Sequence, residues 1–246
     1  MDGKHLSLYS PENSGSRYFN YKKFFSIVLL GLVDAQYRFI YVDVGCQVRI
    51  SDGGVFGNSE IREGLEQCTL NIPAPTPLTA GGEPTPFVIA VDDAFPLAEN
   101  TIKPYGGTHD PGSRERIFNY RCSRARRTSE NVFGILTAVF GVLRKPMRLR
   151  PKKARRVALT CCYLHNFLRK SGTSRRRYTP PGTLDAEDNS GHVVKGLWRN
   201  DAGNATSMIP FLKTSKRATN KYKAKRNRFA DYFMNEGKIA WQNEYA

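Results

Sequence analysis

The sequence predicts an α/β fold, and the spacing of its apolar residues carries that prediction. Two runs of apolar and β-branched residues, Phe24–Ala35 and Tyr37–Val44, have the composition of strands and a connection short enough for a hairpin. The short apolar run Phe87–Val91 predicts another strand. A stretch from about residue 121 to about Leu143 has apolar residues at helical spacing instead. Strands that alternate with helices are typical of a sheet flanked by helices.

The remaining elements of the first part of the chain are shorter. Met1–Ser7 is similar to the end of a strand whose beginning is missing, so we expect an N-terminally truncated domain. Val55–Gln67 predicts an amphipathic helix, and residues 70–86, with five prolines, predict a surface loop. Lys152–Lys170 predicts a second long helix between prolines and the following polar segment. Its expected inward-facing residues are Val157, Cys161, Leu164 and Leu168.

Composition divides the chain near residue 170. We expect residues 1–170 to form one domain and residues 171–246 to form a basic, partly disordered tail. Residues 171–207 have few large apolar side chains, which favours weak order. Residues 218–233 predict a short terminal helix, with Tyr222, Phe229 and Phe233 as its apolar side.

Charge is distributed very unevenly along the chain. Residues 1–113 contain 8 Lys/Arg and 13 Asp/Glu, whereas residues 114–246 contain 30 and 9. Such asymmetry indicates a polyanionic partner for the second half. A membrane surface is the competing partner, but the sequence has no basic amphipathic helix with an exposed apolar face and no apolar run near the ~20 residues that span a bilayer. Nucleic acid, specifically DNA, is therefore the favoured partner.

The cysteines indicate a reducing compartment. There are five, at positions 46, 68, 122, 161 and 162, with no Cys-x-x-Cys spacing. This number and spacing match neither a zinc module nor a disulfide framework, and Cys161-Cys162 is typical of small core residues on a helix. Together with the basic charge, these features lead us to expect a nuclear protein, with the cytoplasm as a further possible location.

Three acidic residues occupy positions that a nucleic-acid-cutting site requires. Asp2 lies in the first strand, Asp92 directly follows the apolar run of the later strand, and Glu130 lies on the long helix. Adjacent strands can place two aspartates side by side, and a helix packed over the sheet can add a third acid. Phosphodiester cleavage with two Mg²⁺ or Mn²⁺ ions needs carboxylates of this kind. We therefore predict that these acids form a metal-binding catalytic site.

Each acid also has an ordinary structural interpretation. Asp2 could be a frayed, solvated terminal residue, and Asp92 or Asp93 could simply form the loop after a strand. Glu130 follows Arg126 by four residues and Arg127 by three, so a surface ion pair is an alternative.

Basic residues around and after Glu130 are candidates for contacts with DNA phosphates. Between Arg144 and Arg177 there are 13 basic residues and no acidic one, whereas a merely solvated face normally mixes both signs. Contacts of this kind give salt-dependent affinity with little sequence preference. The predicted phosphate-binding residues are Arg121, Arg124, Arg126, Arg127, Lys152, Lys153, Arg155 and Arg156.

Several motifs together resemble the transposase-derived nucleases of the PIF/Harbinger group, in which a DDE superfamily endonuclease domain has a ribonuclease-H-like fold. The matching stretches are MDGKHLSLYSPENSGSRYFNYKKFFSIVLLGLVDAQYRFIYVDVG, SDGGVFGNS, FVIAVDDAFPL, IKPYGG and ERIFNYRCSRARRTSENVFGIL, with RFADYF and IAWQ near the end. The resemblance implies a mixed sheet flanked by helices and a metal-dependent nuclease activity. It implies that the three catalytic acids are Asp2, Asp92 and Glu130.

The resemblance also implies a separate Myb-like or SANT-like DNA-binding partner protein. Two departures from the family pattern bear on activity. Val91 replaces the glycine that usually precedes the second acid, and we expect the family's strand before Asp2 and its upstream helical DNA-binding region to be missing. A catalytically inactive remnant that binds DNA or a partner protein is therefore the alternative function.

Overall fold

A computed structural model describes residues 1–45, 52–202, 205–211 and 218–246, in which strands and helices alternate as the α/β prediction requires. Cys46 lies outside these residues. The described strands are β1 (Asp2–Leu8), β2 (Phe25–Val33), β3 (Phe39–Val44), β4 (Thr76–Pro77), β5 (Pro84–Thr85), β6 (Ile89–Ala90), β7 (Thr101–Ile102), β8 (Ala186–Glu187), β9 (Val193–Val194) and β10 (Met208–Pro210). The described helices are α1 (Asp52–Gly57), α2 (Glu60–Glu66), α3 (Arg114–Val139), α4 (Pro151–Lys170), α5 (Gly172–Tyr178), α6 (Trp198–Ala202), α7 (Asn220–Met234) and α8 (Gln242–Tyr245), with a 3₁₀ turn at Gly141–Leu143.

The principal sheet is antiparallel and has the strand order β10-β1-β2-β3. The predicted hairpin of β2 and β3 is present, and Asp34 forms its turn by accepting hydrogen bonds from the backbone N–H groups of Gln36 and Arg38. Strand β2 is apolar on both faces because both are covered. Its Ile27 and Leu29 pack in a core with α3 and α4, whereas alternate residues pack against α1, α2 and the region of β6.

A second, parallel pair of strands places the predicted second acid. Strand β6 pairs with β7 in register Ile89↔Thr101. The amino group of Met1 donates a hydrogen bond to the carbonyl oxygen of Ala90, with 2.7 Å between N and O, so β6 lies beside the N-terminal end of β1. The residues that follow β6 are therefore brought close to the first residues of β1.

Helix α3 starts two turns earlier than the apolar spacing indicated. Ser113 caps it, because the side-chain oxygen accepts a hydrogen bond from the backbone N–H of Arg116. Ile117 and Phe118 in these added turns are buried. The helix ends at Val139, and the 3₁₀ turn covers most of the remaining stretch to the predicted end near Leu143.

Two other helix predictions need correction. The single helix expected over 55–67 is two short helices, α1 and α2, separated where Ser59 caps the second. Helix α4 has the predicted extent, but the predicted inward position of Leu164 is wrong, since 44% of this residue is exposed. His165, the next residue, is fully buried instead and accompanies the buried pair Cys161 and Cys162, which were predicted to lie in the core.

The prediction of weak order for residues 171–207 is wrong for the described part of that segment. Residues 172–202 form α5, β8, β9 and α6, and the ring of Trp198 packs against Gly134 of α3. Few apolar residues suffice here because polar contacts to α3 replace a separate core. Helix α7 packs against α3 as well, with Tyr222, Phe229 and Phe233 facing the protein as predicted. Among the described residues, no helix is long and apolar enough to cross a membrane.

Candidate active site

Asp2 lies on β1 and is almost completely buried, with 2% of its side chain exposed. Its Oδ1 accepts a hydrogen bond from the backbone N–H of Gly3 at 2.8 Å. Its Oδ2 has no hydrogen-bond partner and lies 3.0 Å from Nζ of Lys4, an ion pair without hydrogen-bond geometry. Asp2 is therefore a fixed, buried carboxylate and not the frayed, solvated residue of the alternative interpretation.

Asp92 follows β6 and faces α3. Its Oδ1 accepts a hydrogen bond from the backbone N–H of Asp93 at 2.8 Å and lies 3.1 Å from Nη2 of Arg126. Asp93 turns elsewhere, with its Oδ1 3.3 Å from Nζ of Lys103. Of the two neighbouring acids, Asp92 is thus the one that points at the long helix.

Glu130 lies on α3, one turn after Arg126, and 43% of its side chain is exposed. Its Oε1 is 3.8 Å from Nη2 of Arg126, the same nitrogen atom that contacts Asp92. Arg127 turns toward Glu187 instead. The ion pair between Glu130 and Arg126 that the alternative interpretation predicts is present. Because Arg126 also contacts Asp92, it brings two of the three predicted acids together.

The charges that act on the Met1 amino group show that Asp2 lies near Asp92 and Arg126. Burial lowers the pKa of the Met1 amino group to about 6, and the charges of Asp2, Arg126 and Asp92 all act on this group. Asp2 and Asp92 favour its protonated form, whereas Arg126 opposes it. The adjoining ends of β1 and β6 therefore present two acids to one small region that Arg126 also reaches.

The chemistry of these side chains fits a hard divalent cation, although protein cations now hold them. All three predicted ligands are carboxylates, and the buried Oδ2 of Asp2 lacks a hydrogen bond. Among the described residues, no group of three His, Cys, Asp or Glu is close enough to hold a metal ion. Lys4 sits on Asp2, and Arg126 sits between Asp92 and Glu130. The three-acid metal site stays a prediction.

The predicted phosphate contacts on α3 are engaged with the protein itself. Arg121 donates to the carbonyl oxygen of Gly237, with 2.7 Å between N and O, and burial lowers its pKa. Arg124 and Arg127 both contact Glu187. Because these guanidinium groups already have partners, they hold α3 to residues of the C-terminal part of the chain.

The predicted phosphate contacts on α4 have the opposite character. Four basic side chains near its start are exposed and form no ion pair with another described residue. We call them the α4 basic cluster: Lys152, Lys153, Arg155 and Arg156. Their charge remains available to a polyanion.

Sequence reasoning missed the contacts that hold residues 185–199 beside Glu130. Asn131 donates to the carbonyl oxygen of Asp185, and its Oδ1 accepts hydrogen bonds from the backbone N–H of Asp185 and from Nε1 of Trp198. Burial raises the pKa of Asp185, but hydrogen bonds from Arg199 and from the backbone of Gly196 outweigh it and lower the pKa overall. In the local sequence, Asn131 beside Glu130 was the one feature that could have indicated the contacts with Asp185 and Trp198.

The same segment forms one wall of an arginine-rich cavity of about 590 Å³. Arg124 and Arg127 of α3, Arg169 of α4 and Arg175 and Arg176 of α5 line it. No local sequence pattern indicates this cavity, because its residues come from three separate parts of the chain: the hairpin turn at Tyr37, helix α3 and residues 169–187.

Comparison with known proteins identifies the class of this protein. Residues 1–166 match the DDE superfamily endonuclease family, and the chain belongs to that family. The predicted relationship to transposase-derived nucleases of the PIF/Harbinger group is thereby confirmed.

A particular relative is Protein ALP1-like from Arabidopsis thaliana, which is 28% identical over 168 residues. The match covers 66% of this chain and 40% of the relative, so the chain spans well under half of the relative's length. No solved structure matches the chain significantly.

Proposed function

We propose that the protein is a metal-dependent DNA endonuclease with a ribonuclease-H-like domain, in which Asp2, Asp92 and Glu130 are the catalytic acids. One observation carries the proposal: a single nitrogen of Arg126 contacts both Asp92, at a strand end, and Glu130, on the helix above it. A cation between two acids from separate elements is the arrangement that a nuclease of this family would need. Family membership supports the class of reaction.

The three carboxylates would hold Mg²⁺ or Mn²⁺. Such ions, when bound, activate the attacking water or 3′-hydroxyl and stabilise the leaving oxygen of a phosphodiester. Asp2 is the most buried of the three, and the Gly3 N–H holds its Oδ1 and leaves its Oδ2 without a hydrogen bond. Glu130 is the most exposed of the three, so it is the acid that reaches the side from which DNA would approach.

The α4 basic cluster would position DNA by contacts with phosphates. Its side chains are exposed and lie on a helix with no acidic residue, so they attract the backbone without reading its sequence. Nuclear location and a Myb-like or SANT-like partner that supplies sequence recognition complete the proposal. The charge excess of residues 114–246 supports the nucleic-acid partner.

Single substitutions of the acids test the proposal. We expect Asp92→Asn and Glu130→Gln each to abolish cleavage of duplex DNA in Mg²⁺ or Mn²⁺, because each removes a ligand charge, while DNA binding persists. Asp93→Asn is the matched control, since Asp93 neighbours Asp92 but pairs with Lys103, and it should cleave like the unmodified chain. Cleavage is followed on a labelled duplex and binding by fluorescence anisotropy. Undiminished cleavage by either acid variant would contradict the assignment.

A second candidate function is an inactive remnant that binds DNA or a partner protein. The contacts of Lys4 with Asp2 and of Arg126 with Asp92 and Glu130 favour it, because protein cations already neutralise the acids. This candidate predicts DNA binding by the 246-residue chain without cleavage in either metal, and with no effect of Asp92→Asn on any measured property except stability.

A further inference from the structure

Arg126 occupies an unusual position for a helix-surface arginine. Only 17% of its side chain is exposed, and its Nη2 contacts Oδ1 of Asp92 and Oε1 of Glu130, at 3.1 Å and 3.8 Å. Its Nε is buried and has no hydrogen-bond partner. An ordinary surface pair at i and i+4 would instead leave the guanidinium in water. The guanidinium of Arg126 is therefore largely desolvated, and its contacts with Asp92 and Glu130 offset the lost hydration.

The charges of the neighbouring acids explain what holds the Arg126 guanidinium in this position. Asp92 and Glu130 bring two negative charges to Arg126, and Asp2 and Asp92 both act on the Met1 amino group; like charges at short range repel. Arg126 is the one cation that contacts two of them among the described residues; Lys4 contacts Asp2. Arg199 acts on Glu130 only at longer range, since its own ion pair is with Asp185.

We propose that Arg126 is an internal counter-cation, which stands between Asp92 and Glu130 when no divalent ion is bound and leaves when one binds. This inference rests on the proposed function. Its geometric basis is the length of the contacts: Mg²⁺ holds oxygen at ~2.1 Å, so the distances from Nη2 are longer by about 1 Å or more. An ion bound to either oxygen would lie within about 6 Å of Nη2, so the two positive charges would repel and the guanidinium would move away.

The proposal predicts that Arg126 competes with the metal. A unit charge and a divalent ion ~6 Å apart interact strongly enough, even at the dielectric constant of water, to change an affinity about tenfold. We therefore expect Arg126→Gln to bind Mn²⁺ about tenfold more tightly than the unmodified chain. Removal of the cation should also leave Asp92 and Glu130 to repel each other, so this variant should unfold at a lower temperature without metal and gain more stability from Mn²⁺.

The experiment is a calorimetric titration of the full chain with Mn²⁺, without DNA and without turnover. Arg116→Gln is the charge-matched control, because Arg116 is exposed on the same helix and forms no ion pair with a described residue. It lies ten residues away, ~15 Å along the helix and beyond the Debye length of ~8 Å at physiological salt, so it should leave the Mn²⁺ affinity within about twofold. Glu130→Gln should bind Mn²⁺ much more weakly.

The outcomes separate this inference from the proposed function. If the unmodified chain binds Mn²⁺ and Arg126→Gln binds it equally or more weakly, the counter-cation role is refuted and the nuclease proposal stands. If neither binds Mn²⁺, the metal site itself is refuted. Should Arg126→Gln fail to fold by circular dichroism, Arg126→Met, which keeps the aliphatic stem without the charge, provides the same comparison.

Discussion

Gly134 of α3 allows a sharp test of how the C-terminal segment is held. A β-carbon on Gly134 would lie 2.2 Å from Cε3 of Trp198, closer than any two such atoms can approach. In an exposed helix, Gly→Ala stabilises by about 0.5–1 kcal/mol because alanine loses less backbone entropy. At Gly134 we expect the reverse, since the new methyl group must displace the indole ring.

The size of the effect follows from the contacts of Trp198. Overpacking typically costs about 1–3 kcal/mol, and the displaced ring would also lose its hydrogen bond from Nε1 to Oδ1 of Asn131, a net contribution of about 1 kcal/mol. After the gain in helix propensity is subtracted, Gly134→Ala should reduce the free energy of unfolding by about 2 kcal/mol. For a chain of this size the midpoint of thermal unfolding should fall by about 5 °C.

Urea denaturation followed by circular dichroism measures this change, and two further variants make it decisive. Gly141→Ala is the control, because a β-carbon there has no neighbour within 4 Å, and it should change stability by less than about 0.5 kcal/mol. In a Trp198→Ala background the clash is absent, so Gly134→Ala should become stabilising. A stabilising effect of Gly134→Ala in the unmodified chain would refute the packing of Trp198 on α3.

Two further predictions concern DNA and pH. Replacing all four residues of the α4 basic cluster by alanine should weaken duplex binding uniformly across sequences. The slope of the logarithm of the binding constant against the logarithm of salt concentration should become shallower by up to about 3.6, at about 0.9 for each phosphate that the variant no longer neutralises. An unchanged slope would exclude this surface from the interface. Burial lowers the pKa of His165 to about 4 and outweighs the hydrogen bond that its Nε2 donates to the carbonyl of Tyr37, which favours the charged form. Neutral His165 accepts, at Nδ1, a hydrogen bond from the hydroxyl of Tyr178. Its stabilising effect is complete above pH ~6.5 and is lost as the pH falls toward 4, by about 3 kcal/mol, because the unfolded chain binds the proton more readily. Urea midpoints between pH 7 and 4 measure this, and His165→Gln should be less stable at neutral pH with a flatter pH dependence; an equally steep dependence in that variant would assign it to other groups.

The elements with dense apolar patterns were predictable from local sequence. The run of β2 is continuous because both faces of the strand are covered, and the hairpin turn at Asp34 follows from its side-chain hydrogen bonds. The start of α3 was missed because its first turns have little apolar periodicity, so the start depends on the Ser113 cap. Apolar spacing identifies the buried face of a helix but says little about where a polar cap begins it.

The contacts of the candidate site were only partly predictable. The positions of Asp92 and Glu130 after a strand and on a helix indicated that they could meet, but not that Arg126 would lie between them. The order of residues 171–202 was missed because it depends on tertiary contacts. A low content of large apolar residues predicts disorder only when a segment must build its own core, whereas this one binds to Asn131 and Gly134 of a helix that is already folded.

The pairing of β1 with β10 bears on the order in which the protein folds. Ser7 and Ser207 are joined by a hydrogen bond across 200 residues of chain, whereas β1 and β2 are joined by a short loop. Closing so long a loop is entropically costly, so the hairpin should form early and β10 should be added last. On the ribosome, β1 would leave one edge without β10 until residues 208–210 have emerged, an interval during which that edge is open to aggregation.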